Sequence, residues 1–132
     1  MTTTKDTVRI TSLIPSFTVD DIHLSLAFYE GLGFEVEERW EEKGQLSGVM
    51  LRAGDTRIGL TQDDWKKGRD RKKGAGMRVF IATSDVDEVA RRAKTAGITL
   101  NTEPHDTEWE GGRAFEVTDP SGFLLTISTE MA

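Results

Sequence analysis

The sequence contains no cysteine, which excludes disulfides, thiolate metal sites and cysteine nucleophiles together. It also lacks long apolar runs. The longest, Val79 to Ala82, falls far short of the roughly 18 residues a membrane span needs, so no membrane partner is expected. The opening Met1-Thr2-Thr3-Thr4-Lys5-Asp6 has no apolar stretch of signal-peptide length, and a cytoplasmic location is the expectation. Positive charge is in the minority, with 17 Lys and Arg against 23 Asp and Glu. Six of those cations crowd into Lys66 to Lys73 (KKGRDRKK) with one anion, so this short stretch is basic and the rest of the surface is strongly acidic. A nucleic-acid binder would show net positive charge and a broad basic face. No nucleic acid is expected as a partner, and the basic stretch reads as a solvated connection.

At 132 residues the chain has room for one domain, or for two half-size units sharing a core. Self-similarity favours the second description. A shift of 64 residues, without a gap, lays Asp21 on Asp85, Gly33 on Gly97, Gly48 on Gly112 and Asp55 on Asp119. Apolar positions follow, with Leu13 on Met77, Leu51 on Phe115 and Leu60 on Leu124. The single domain 1–132 then divides into a first module of about 8–62, a basic linker of 63–75 and a second module of about 76–129.

Each half reads as a strand, a helix and three more strands. In the first, Ile10 to Val19 is extended, and Asp20 or Asp21 caps a helix whose Ile22, Ser25, Leu26, Phe28, Tyr29 and Leu32 recur at helical spacing until Gly33. Strands at Phe34 to Trp40, Leu46 to Ala53 and Thr56 to Gln62 complete it. In the second, Gly76 to Thr83 is the strand, and Ser84-Asp85 opens a helix that turns Val86, Val89, Ala90, Ala93 and Ala96 inward before Gly97. Ile98 to Thr102, Arg113 to Thr118 and Phe123 to Ser128 follow as strands. Pro15 has no N–H for a ladder, so the first strand belongs at an edge or carries a bulge.

Alternation separates two faces. Leu13, Phe17, Val19, Val79, Ile81, Leu125 and Ile127 would pack on the helices. The opposite face carries Ser12, Ile14, Ser16, Arg78, Phe80, Leu124, Thr126 and Ser128, too polar for a core and too apolar for an ordinary wet surface. The expected fold is α+β: two tandem βαβββ modules whose curved mixed sheets surround an open cleft.

Val19-x-Asp21-x-x-x-Ser25-x-x-Phe28-Tyr29-x-x-Leu32-Gly33-Phe34 resembles the opening signature of the glyoxalase, bleomycin-resistance protein and extradiol dioxygenase superfamily, the vicinal oxygen chelate fold. Asp119-Pro120-Ser121-Gly122-Phe123 resembles its closing turn, and Trp109 before Arg113-Ala114-Phe115 is similar to a feature of its small members. The resemblance spans Ile10 to Ser128. It implies the fold but no single chemistry, since such families host several. It also implies where a divalent metal sits in the enzymes of the family. Those positions fall on Ile14, Arg78, Thr126 and either Gly59 or Gln62: strand parity favours Gly59, and the duplication favours Gln62. Ile14 and Gly59 have no donor atom, Arg78 is a fixed cation, and Thr126 or Gln62 is a weak neutral ligand. The expectation is a site without metal and without cofactor.

Other candidates carry two readings each. His23 lies off the apolar stripe of its helix, and His105-Asp106 with Glu108 matches no metal spacing. Trp40, Trp65 and Trp109 fall at strand ends or loops, where they would rim a ligand pocket or cover a subunit contact. Arg78 on an inward face needs a partner, either Glu116 on the neighbouring strand or an anionic ligand. The leading functional expectation is a homodimer that sequesters a small, partly aromatic, anionic molecule, with Ile14, Gln62 and Phe80 also lining the cleft. One rival is a metal-dependent lyase, isomerase or dioxygenase using displaced ligands such as Gln62, Glu116 and His105. Another is a regulatory or interaction subunit that makes contact through the basic linker.

Overall fold

The computed structural model describes residues 8–130. Its first module runs β1 (Ser16–Val19), α1 (Ile22–Gly31), β2 (Glu35–Glu42), β3 (Gln45–Ala53) and β4 (Thr56–Gln62). The second runs β5 (Arg78–Ala82), α2 (Val86–Thr95), β6 (His105–Asp106), β7 (Arg113–Thr118) and β8 (Leu124–Ser128). Two four-stranded sheets result, ordered β1-β4-β3-β2 and β5-β8-β7-β6. In each, the first and last strands of the module pair in parallel and the rest pair antiparallel. This is the α+β arrangement of two βαβββ modules.

Both helices start where a carboxylate can satisfy free amides. Asp21 accepts from the N–H groups of His23 and Leu24, and Asp85 accepts from that of Glu88, which offsets part of the cost of the open first turn. Gly33 and Gly97 take the left-handed conformation, φ +109° and +86°, that lets the chain turn back after each helix. The two modules share one core. Phe17, Ile22 and Tyr29 from the first half are buried in the same cluster as Phe115, Phe123 and Leu125 from the second. The rings of Phe17 and Phe123 stack across the junction with centroids 4.5 Å apart.

A polar joint reinforces that contact. The Asp20 N–H donates to Ser121 Oγ at 2.8 Å, and the buried Asp119 carboxylate accepts the Ser121 N–H while lying beside the Ser25 and Tyr29 hydroxyls of α1. Burial raises the Asp119 carboxyl above its ordinary pKa, and burial together with that carboxylate pushes the Tyr29 hydroxyl upward. Both shifts follow from removing charge from water without a full set of partners, since Ser25 Oγ, Tyr29 Oη and Asp119 Oδ2 form no hydrogen bond of regular geometry.

Several local expectations are corrected. β1 begins at Ser16 rather than Ile10. Pro15 offers only its carbonyl, which accepts the Gly59 N–H, so no ladder extends further back and Leu13 is 86% exposed. Ile98 to Thr102 is not a strand, because the amides of Asn101 and Thr102 both address one carbonyl, that of Glu116. Pairing with β7 resumes only after Pro104. Ala96 is exposed as the cap of α2. The repeat is also not gapless: the row Ser16, Gly59, Met50 corresponds to Phe80, Thr126, Glu116. The offset therefore grows from 64 at the first strand to 66 at the third and 67 at the last, through longer connections in the second half.

Candidate functional site

The register of the second sheet assembles the site. Phe80 on β5 and Glu116 on β7 flank Thr126 on the central strand β8, and Arg78 pairs with Leu124 one row away. Leu125 and Ile127 point into the core, so alternation turns Thr126 to the opposite, concave face. Arg78 reaches over β8 to Glu116, Nη2 to Oε2 3.3 Å, and the bridge passes above Thr126. Thr126 is only 6% exposed and its hydroxyl has no hydrogen-bond partner. A buried hydroxyl left in that state costs roughly 1–3 kcal/mol. Phe80, by contrast, is 52% exposed beside it.

The Arg78–Glu116 bridge is weakly held. Its side chains are 46% and 27% exposed and meet through one contact, so it contributes at most about 1 kcal/mol. The guanidinium retains free donors for a second acceptor. Chemically, the face offers a displaceable cation, a carboxylate acceptor, a buried hydroxyl and a flat apolar ring. Phe80 and Ile14 also border a groove of about 350 Å³ between the modules.

The remaining candidates lie elsewhere. Gln62 is engaged in structure: Oε1 accepts the Ile22 N–H at 2.9 Å, and Nε2 donates to the carbonyls of Asp20 and Asp63. It ties the end of β4 to the start of α1 and leaves no free donor pair for a cleft. Trp40 lies over Gly48, where a Cβ would stand 3.3 Å from its ring, on the concave face of the first sheet. Trp65 sits in the linker at φ +63° with Lys73 Nζ 4.3 Å and Arg69 Cζ 4.5 Å from its ring centre. Trp109 folds over Gly112, where a Cβ would fall 2.1 Å from the indole nitrogen. The three tryptophans thus occupy three separate places. His105 is exposed, with Nδ1 2.9 Å from the Glu103 carbonyl oxygen.

A feature absent from the sequence reading is the linker clamp. Asp63, buried, accepts the Trp65 N–H at 2.8 Å, Arg71 Nη2 at 2.7 Å and Lys73 Nζ at 2.6 Å, and Lys73 also bonds Asp20. The Lys73 ammonium, then the Trp65 amide and Arg71, hold the Asp63 carboxyl well below the usual range. The basic stretch is folded against the first module, not a free connection. The signal was the flanking pair Asp20 and Asp63, which the charge tally averaged away.

Register also decides between Gly59 and Gln62. The strand partner of Ser16 is Gly59 and that of Phe80 is Thr126, so Gly59 is the counterpart of Thr126. The four positions that the family resemblance implies for a divalent ion are then Ile14, Gly59, Arg78 and Thr126. Two bring no donor, one brings a fixed positive charge, and one a neutral hydroxyl, a set that does not fit a metal. Among the described residues no group of three His, Asp or Glu side chains is placed to hold one.

The sequence matches the model of the Glyoxalase/Bleomycin resistance protein/Dioxygenase superfamily over residues 9–127, and the chain belongs to that superfamily. No curated protein matches it in sequence. Among solved structures it is similar to TioX from Micromonospora sp. ML1 (20% identity, TM-score 0.75, covering 92% of this chain and 99% of that one). It is similar also to a bleomycin resistance determinant encoded on the transposon Tn5 (22%, 0.70, 93% and 100%). A third is a bleomycin-binding protein complexed with bleomycin (22%, 0.68, 92% and 100%). At these identities the likeness establishes the fold. Among the described residues no helix is long and apolar enough to cross a membrane.

Proposed function

We propose that this protein is a metal-free binding member of the superfamily that sequesters a small, partly aromatic, anionic molecule on the concave face of its second sheet. The observation that carries the reading is the unpartnered, buried Thr126 hydroxyl beneath the Arg78–Glu116 bridge. A ligand carboxylate can take the Arg78 guanidinium from Glu116, and a ligand acceptor can take the Thr126 O–H. The exposed Phe80 ring offers a stacking surface for the apolar part. A bleomycin-binding protein of the same fold, complexed with bleomycin, supports small-molecule binding as a role for this fold.

A thermal-shift screen of small aromatic acids, amines and neutral isosteres tests the class. A ligand present at about 100 times its Kd stabilises the folded state by roughly 2.7 kcal/mol, several degrees in Tm at this size. Hits concentrated among aromatic carboxylates and phosphates are expected. Hits concentrated among amines, or equal shifts from neutral isosteres, would contradict the reading.

The binding unit is proposed to be a homodimer. Val8, Ile10 and Leu13 are exposed apolar side chains ahead of β1, and β5 is an edge strand bearing Val79, Phe80 and Ile81. Such an edge is ordinarily covered. Sedimentation at micromolar concentration should give about twice the 14.7 kDa of one chain. A mass near that of one chain would sink the dimer.

A further inference from the structure

The clamp that folds the linker leaves part of its charge unengaged. Arg71 and Lys73 are bound by Asp63, Lys73 also by Asp20, and Arg69 lies on the Trp65 ring. Lys66 approaches Asp64 only to 3.8 Å with both side chains largely in solvent, and Lys67 has no ion-pair partner among the described residues. These two lysines and Arg71 border a cavity of about 320 Å³ whose other wall includes Thr18, Thr61 and Gln62. Thr18 and Thr61 are cross-strand partners on β1 and β4. Val19 and Leu60, next to them, are buried against the helices, so the two hydroxyls rise side by side from the opposite face.

We propose that this cavity is an anion site for a doubly charged tetrahedral oxyanion, a phosphate or phosphonate group. Asp63 and Asp64 share the cavity and oppose any anion, but Asp63 is offset by Arg71 and Lys73, and the two remaining lysines attract a dianion more strongly than a singly charged carboxylate. A phosphate brings a second negative charge and three acceptor oxygens, enough for both ammonium groups and both threonine hydroxyls at once. The backbone that carries the two lysines is also held in place. The Trp65 turn on Asp63 and the Lys73 anchor hold the linker in place, so Lys66 and Lys67 are presented without ordering a free loop on binding. The cavity shares no residue with the Arg78, Glu116 and Thr126 face, so this proposal and the proposed function stand or fall separately.

The experiment is an amide-resolved NMR titration of the intact chain with inorganic phosphate at constant ionic strength, with sodium chloride and sodium acetate as controls. Saturable shifts at Thr18, Thr61 and Lys67 are expected with phosphate, at least tenfold weaker with acetate and absent with chloride. A Lys66→Met/Lys67→Met variant should bind phosphate at least tenfold more weakly with its spectrum otherwise intact, and Lys94→Met, on α2 of the second module, should bind it as the wild type does. Phosphate shifts no greater than those of chloride, or wild-type affinity in the double lysine variant, would overturn the site. So would saturable phosphate shifts at Arg78, Glu116 and Thr126 without any at Thr18, Thr61 and Lys67, which would place the anion on the second sheet.

Discussion

Phe17→Ala is expected to lower stability by about 3–5 kcal/mol, the usual range for deleting a buried ring. Phe17 is 1% exposed, stacks on Phe123 of the second module and lies 6.2 Å from the Tyr29 ring of α1. Its loss opens a cavity where three elements from both halves meet. Neighbours are fixed by the ladder of β1 on β4 and by α1, so the space cannot close by simple collapse. For a chain of this length the deficit corresponds to a fall in Tm of roughly 10–20 °C. Because the core is shared, unfolding should remain one transition in which both sheets are lost together. Calorimetry checks both points. A loss under about 1 kcal/mol, or two separated transitions, would show that the modules fold on independent cores.

Much of the fold was legible because it depends on short-range signals. Asp21 and Asp85 mark helix starts, Gly33 and Gly97 mark their ends, and the stripe from Ile22 to Tyr29 is buried as its spacing indicates. What failed were properties of ladders. Alternation through Leu13 has no meaning where Pro15 ends the pairing, and a plausible strand at Ile98 to Thr102 loses its partners to a single shared carbonyl. The duplication was visible in Asp and Gly positions, but insertions between elements moved the offset. Residue identity alone therefore left Gly59 and Gln62 unresolved.

The site was legible in part for the same reason. Parity placed Arg78, Phe80, Glu116 and Thr126 on one face, and register brought them into neighbouring rows. The tryptophans were grouped by type and loop position, which carry no information on distance, and the structure separates them. Gln62 looked like a ligand because the 64-residue shift lays it on Thr126. Its amide instead joins β4 to α1, a long-range contact with no local trace.

The second large effect falls on binding. Arg78→Met keeps the apolar stem over β8 and removes the charge, so a ligand carboxylate or phosphate loses a charge-assisted bond of roughly 1.5–3 kcal/mol. That is about tenfold or more in Kd. Glu116→Gln is the control, since it removes the competing carboxylate without removing the guanidinium. Titrating a hit from the screen into the wild type, Arg78→Met and Glu116→Gln, alongside melting of the three apo proteins, measures the role of Arg78 most directly. The account predicts Kd weakened at least tenfold in Arg78→Met and unchanged or tightened in Glu116→Gln, with the apo proteins melting within a few degrees of one another. If both variants lose apo stability equally and neither changes Kd, Arg78 and Glu116 form a structural ion pair, and the ligand does not bind on this face.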